Sequence, residues 1–180
     1  MVSRSNPYKR KLTNRTILIC GEGDSEECLL KQLQNLFKTK KEYRIKVINA
    51  HGGSTLNTVN FVLKYPGDFQ SKIVLVDGDR PKSENNLAKQ KANSKNIKYL
   101  ENKPCVEALI LSIYFKNDKY HQWLTTICKK EVKKLVKDKK IKELNEFVVK
   151  NFTKPKINQF RAKIKNSVLS ELISIMEGDV

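Results

Sequence analysis

Apolar residues in the first hundred positions of the chain come in short continuous runs separated by amphipathic stretches. Thr16-Ile17-Leu18-Ile19-Cys20 is such a run, closed by Gly21 and Gly23, and predicts a buried strand ending in a turn. From Ser25, read as a helix cap, Cys28, Leu29, Leu33, Leu36 and Phe37 recur at helical spacing to about Lys38. Arg44 to Ala50 alternates toward a second strand. His51-Gly52-Gly53-Ser54 then turns into a helix carrying Leu56, Val59, Val62 and Leu63, which Pro66 and Gly67 close. Lys72 to Val76 is the third and most apolar strand, Ser83 to Ala92 a polar helix, and Asn96 to Leu100 a fourth short strand.

Strands alternating with helices in this way require right-handed crossovers, and so predict an α/β, Rossmannoid fold with a mostly parallel four-stranded sheet flanked by helices. After Pro104 the rhythm becomes helical. Val106 to Phe115 is almost wholly apolar, which predicts a helix buried on the sheet; Lys119 to Met176 follows with Trp123, Leu124, Ile127, a lysine-rich stretch from Lys129 to Lys142, and amphipathic segments at Ile141 to Phe152 and Phe160 to Met176. The expected organisation is a basic arm over residues 1–15, an α/β domain over 16–116, and an α-helical, lysine-rich C-terminal extension over 117–180 packed on the same domain. The arm carries five cations and no acid.

Composition narrows the function. The 180 residues contain no apolar run of membrane-spanning length, and MVSRSNPYKRKLTNR has cations without the apolar core of a signal peptide, so a cytoplasmic protein with no membrane partner is expected. Cys20, Cys28, Cys105 and Cys128 lack the spacing of a zinc site or a disulfide framework and read as reduced, mostly buried thiols. The balance of 36 Lys+Arg against 19 Asp+Glu, a net charge of +17, points to a polyanionic partner, with nucleic acid first.

Against that charge, the acids at strand ends stand out. Ligands of an open parallel sheet sit beyond the carboxyl ends of its strands, where Glu22 follows the first strand and Asp77 and Asp79 follow the third. Carboxylates gathered in a partly buried cleft repel one another and are stabilised by a hard divalent cation, Mg²⁺ or Mn²⁺. Gly78 is expected to permit a turn aiming Asp77 and Asp79 at one ion. Glu26, one helical turn beyond Glu22, is a candidate second ligand or proton acceptor, and Glu107 is an acid in an apolar helix, costly unless paired or bound to metal. Arg80 and Lys82 follow the acids and are placed to hold a phosphate backbone. His51 and Ser54 lie in a glycine turn ahead of a helix, where either a phosphate contact or a plain turn and cap fits. No GxxxxGK[ST] loop, no GxGxxG fingerprint and no serine or cysteine triad is present.

A glutamate after the first strand with Asp-x-Asp after the third resembles the TOPRIM domain, the metal-binding module of primases, type IA and II topoisomerases and OLD-type nucleases. ILICGEGDSE at Ile17 to Glu26, HGGS at His51 to Ser54, VLVDGD at Val74 to Asp79 and NKPCVEALIL at Asn102 to Leu111 resemble, in order, the blocks of the RloB-like family, small TOPRIM-related proteins found near restriction and phage-defence genes. That family's blocks read EGxTE, GGGS, DxD and NPCFE. Here Ser25 replaces the threonine, His51 the first glycine and Val106 the phenylalanine, and Lys103 is inserted before the proline. The resemblance spans roughly residues 16–116 and implies that Glu22, Asp77 and Asp79 bind the metal, that Glu26 assists, and that Glu107 contributes. It implies a metal-dependent nuclease acting on DNA or RNA, including tRNA, as an effector of phage defence. The alternative is an inactive nucleic-acid-binding or partner-binding subunit of a defence complex. An ATPase or other defence-system protein and a second copy of the chain are the further expected partners. Topoisomerase and primase activities are disfavoured, because no transesterifying-tyrosine, polymerase or helicase module accompanies the acids.

Overall fold

A computed structural model describes residues 15–39, 43–163 and 167–179. The expected basic arm, apart from Arg15, lies outside the described residues. Strand β1 (Arg15–Gly21) leads to helix α1 (Asp24–Phe37), β2 (Tyr43–Asn49) to α2 (Thr55–Lys64), and β3 (Ser71–Asp77) to α3 (Lys82–Ser94). Strand β4 (Ile97–Asn102) leads to α4 (Val106–Phe115), and a short 3-10 helix, Asp118–Gln122, precedes α5 (Thr125–Asp138), α6 (Leu144–Asn151), α7 (Lys154–Lys163) and α8 (Ser167–Glu177). The four strands form one all-parallel sheet in the order β2-β1-β3-β4, in agreement with the α/β expectation.

Alternating side chains divide the strands between two apolar layers. Ile17, Ile19, Ile73 and Leu75 face α1 and α4, and the same core takes in Phe147, Phe152, Phe160 and Ile173 from the C-terminal helices. Leu18, Cys20, Val74 and Val76 face the other way, onto Val59 and Val62 of α2 and Ala88 and Ala92 of α3. Helix α4 is apolar on nearly every side because it is buried from Val106 to Ile113 between the sheet and the helical extension.

Several boundaries differ from the sequence expectation. The N-cap of α1 is Gly23 rather than Ser25: the Glu26 carboxylate reaches back to accept from the Gly23 N–H at 2.9 Å. Strand β4 runs past Leu100 because Glu101 and Asn102 pair with Val76 and Asp77, and the buried Asn102 amide donates to Cys105 O at 2.5 Å. The segment expected at Phe160 to Met176 is helical up to Lys163, in α7, and from Ser167, in α8; residues 164–166 lie outside the described residues. Gly78 has no positive φ; it is required for close approach, since a Cβ there would lie 2.8 Å from Lys103 Cγ and 3.1 Å from Asn102 O. All four cysteines are free and buried. Among the described residues, no helix is long and apolar enough to cross a membrane.

Candidate functional site

The strand order reverses between β1 and β3: α1 leaves β1 on one face of the sheet, and α3 leaves β3 on the other. Such a switch point opens a crevice beyond the carboxyl ends of the two strands. A cleft of about 340 Å³ occupies it, where Glu22, Glu26, Asp77, Glu107, Arg80 and Lys129 meet. Gly21 at the end of β1 lets α1 come close, because a Cβ there would stand 2.5 Å from the Glu26 Cβ.

Strand parity decides which acids cluster. Asp77 ends β3 in phase with Ile73 and Leu75, so it faces α1 and α4. Its Oδ1 accepts the Val106 N–H at 2.9 Å, at the positive N-terminus of α4. Glu26 of α1 and Glu107 of α4 bring further negative charge close to Asp77. Burial, and then the charge of Glu26, push the Asp77 carboxyl up to about 8, against the pull of the Val106 N–H. Burial likewise raises Glu26, with Glu107 adding to the effect. Lys129 of α5 is the nearest cation, its Nζ 3.7 Å from Asp77 Oδ2. Burial alone would lower the Lys129 ammonium, but Glu107, Asp77 and Asp79 together hold it above its ordinary range.

Glu22, one residue past β1, is in phase with Leu18 and Cys20 and meets the groups on the α2 and α3 side. Its Oε1 accepts from Arg80 at 3.1 Å, and Arg80 also donates to Gly53 O at 2.6 Å. Asp79 lies two residues past the strand and is exposed, outside the lining of the cleft. Lys82 is exposed at the start of α3. His51 is exposed in the turn after β2 with φ 62°, its N–H donating to Asn49 Oδ1 at 2.7 Å and its ring edge-on to Phe61. Ser54 is the cap of α2, its hydroxyl accepting from Asn57 N at 3.1 Å, while Glu84 accepts from Thr55 N at 3.1 Å. The N-terminus of α2 is therefore already served by a hydroxyl and a carboxylate.

The structure thus brings together Glu22, Glu26, Asp77, Glu107 and Arg80, and leaves Asp79, Lys82, His51 and Ser54 outside the cleft. It also adds two residues to which sequence reasoning gave no site role. Ser25 donates to Glu107 Oε1 at 2.8 Å, and Lys129 arrives from a helix far along the chain. A lysine among many lysines carries no local signal of this position.

The donor set suits a hard cation. Glu22 Oε2 and Glu107 Oε2 are buried with no hydrogen-bond partner, a costly condition that a cation in the cleft would relieve. As the side chains stand, no three His, Cys, Asp or Glu among the described residues converge closely enough to ligate one ion. Comparisons with protein-family models, with curated proteins and with solved structures found no match.

Proposed function

We propose that the protein is a divalent-metal-dependent nuclease, hydrolysing phosphodiester bonds of DNA or RNA, tRNA included, as an effector of phage defence. The observation that carries this is the cluster of Glu26, Asp77 and Glu107, packed at a sheet switch point with Glu22 alongside, in a chain of net charge +17. The sequence resemblance to the RloB-like family supports the same chemistry. Mg²⁺ or Mn²⁺ would be held by Asp77 with Glu22 and Glu107, which line the cleft and each keep a buried carboxylate oxygen without a hydrogen-bond partner. When bound, the ion would polarise the scissile phosphate and lower the pKa of an attacking water.

The protein's own groups supply the rest. Glu26, raised by burial and anchored on the Gly23 N–H, is suited to take the proton from the nucleophile. Arg80, tethered by Glu22 and Gly53 O, offers its remaining guanidinium donors to a phosphate. Lys129 screens the acids from the phosphodiester they approach. Asp79, exposed two residues past the strand, adds its negative charge to the field at Lys129.

The test incubates purified protein with plasmid, single-stranded DNA and tRNA in Mg²⁺, Mn²⁺ or EDTA. Cutting that requires the metal and is lost in Asp77→Ala supports the nuclease. A second reading, an inactive nucleic-acid-binding subunit, is favoured by one observation: Arg80 and Lys129 already neutralise Glu22 and Asp77 without a metal. Binding without any metal-dependent cutting would establish that reading in place of the first.

A further inference from the structure

Next to the carboxylate cleft lies a larger groove of about 630 Å³ between α5 and the start of α6. Its floor is apolar, made by Val132, Val136, Ile141 and Leu144. Its walls carry Lys129, Lys133, Lys137, Lys140 and Lys142, and Glu107 is the one acid among its lining residues. Lys133, Lys137, Lys140 and Lys142 are exposed and make no ion pair among the described residues. Groove and cleft share Ser25, Glu107 and Lys129, so whatever lies in one reaches the other.

Lys140 is the telling residue. It follows the C-cap of α5 with φ 55°, its N–H donating to Lys137 O at 2.8 Å, while the Ile141 N–H donates to Val136 O at 3.1 Å. This pair of bonds is the Schellman ending, whose left-handed position favours glycine. A lysine there costs helix stability, and the same turn delivers Ile141 to the floor and leaves Lys140 on the rim. Lysines repeated at four-residue spacing along α5 repel one another as well.

We propose that this groove binds an unpaired nucleic-acid strand and feeds it to the carboxylate cleft, so that the substrate class is single-stranded or looped nucleic acid rather than duplex. Its role in catalysis rests on the nuclease proposal; its preference for unpaired strands does not. A duplex turns phosphates outward and hides its bases, so it would meet the lysines but leave the apolar floor uncovered. An unpaired strand offers both a charged backbone and apolar base faces, which matches a floor of aliphatic side chains walled by cations. From Lys129 to Lys137 the wall runs along about 12 Å of helix, and Lys140 and Lys142 continue it past the helix end, long enough to follow a strand rather than a single phosphate.

Fluorescence anisotropy of the full chain in EDTA, where no strand is cut, provides the test. Single-stranded DNA and RNA oligonucleotides are expected to bind about tenfold more tightly than the corresponding duplex. The double variant Lys133→Gln/Lys137→Gln should lower the slope of log affinity against log salt for single strands by about 1.4, two contacts at about 0.7 each. Lys140→Gly should lower that slope by about 0.7 and yet raise the Tm, a combination that a purely structural lysine would not produce. Equal affinity for duplex and single strand, or lysine variants that bind as the parent does, would overturn the proposal. Strand preference without cleavage refutes the nuclease and leaves the groove standing; cleavage with no strand preference refutes the groove alone.

Discussion

Asp77→Asn offers the sharpest test of the buried acid cluster, because asparagine keeps the shape and the acceptor for the Val106 N–H while removing the charge. In the folded chain the Asp77 carboxyl is pushed from its ordinary 3.8 to about 8, first by burial and then by Glu26. A folded-state pKa above the unfolded one means that the native protein binds the extra proton. The unfolded chain loses its proton near pH 3.8, so native stability falls as pH rises from there toward 8. At pH 7 the span is 3.2 units, which at about 1.36 kcal/mol per unit bounds the cost of Asp77 at about 4 kcal/mol. Side-chain relaxation and water entry reduce such penalties, and a gain of about 2 kcal/mol for the variant at pH 7 is expected. For a chain of this length that corresponds to about 4–8 °C in Tm. Thermal melts in EDTA from pH 4 to 8.5 should show the gain growing with pH and vanishing near pH 4. Adding Mg²⁺ should then raise the Tm of the wild type, through binding to the native state alone, and leave the variant unmoved. A variant less stable than wild type at pH 8 in EDTA, or two parallel pH profiles, would refute the reasoning.

Two further outcomes bear on the geometry. Gly21→Ala places a methyl 2.5 Å from the Glu26 Cβ and 3.1 Å from Glu27 N, so α1 must shift; a loss of about 2 kcal/mol is expected in urea titration, with an unchanged midpoint counting against the close approach. Burial pushes the thiols of Cys20 and Cys28 up to about 12 and raises those of Cys105 and Cys128. The native protein should therefore resist a thiol-specific disulfide reagent at pH 8 and react with it at all four cysteines once unfolded in guanidinium; rapid labelling of the native chain would contradict the packing.

Much of this was legible in the order of residues. The runs at Ile17 to Cys20 and Ile73 to Val76 are buried on both faces, and only a parallel sheet covered on two sides needs such runs. The apolar stretch from Val106 to Phe115 announced a buried helix for the same reason. Acids placed just after strands could be assigned to one edge, because parallel strands share a direction. These are local signals, carried by neighbours in the chain.

Tertiary structure decided the rest. Asp77 and Asp79 look alike in sequence, yet the strand ends at Asp77, so strand parity holds that carboxylate toward Glu26 and Glu107 while the turn at Gly78 leaves Asp79 exposed. Arg80 reads as a free phosphate ligand until α2 and α3 bring it against Glu22 and Gly53. The position of Lys129, and of the groove beyond it, depends on α5 packing against α4, which sets Lys129 beside Asp77 from a strand far earlier in the chain, a meeting that no local periodicity encodes. Hydrophobic alternation determined the strands, the helices and the edge where chemistry belongs, since those follow from burying each element's apolar face. Which charges meet at that edge was settled by packing, since charge pairing depends on distance in space and is indifferent to distance along the chain.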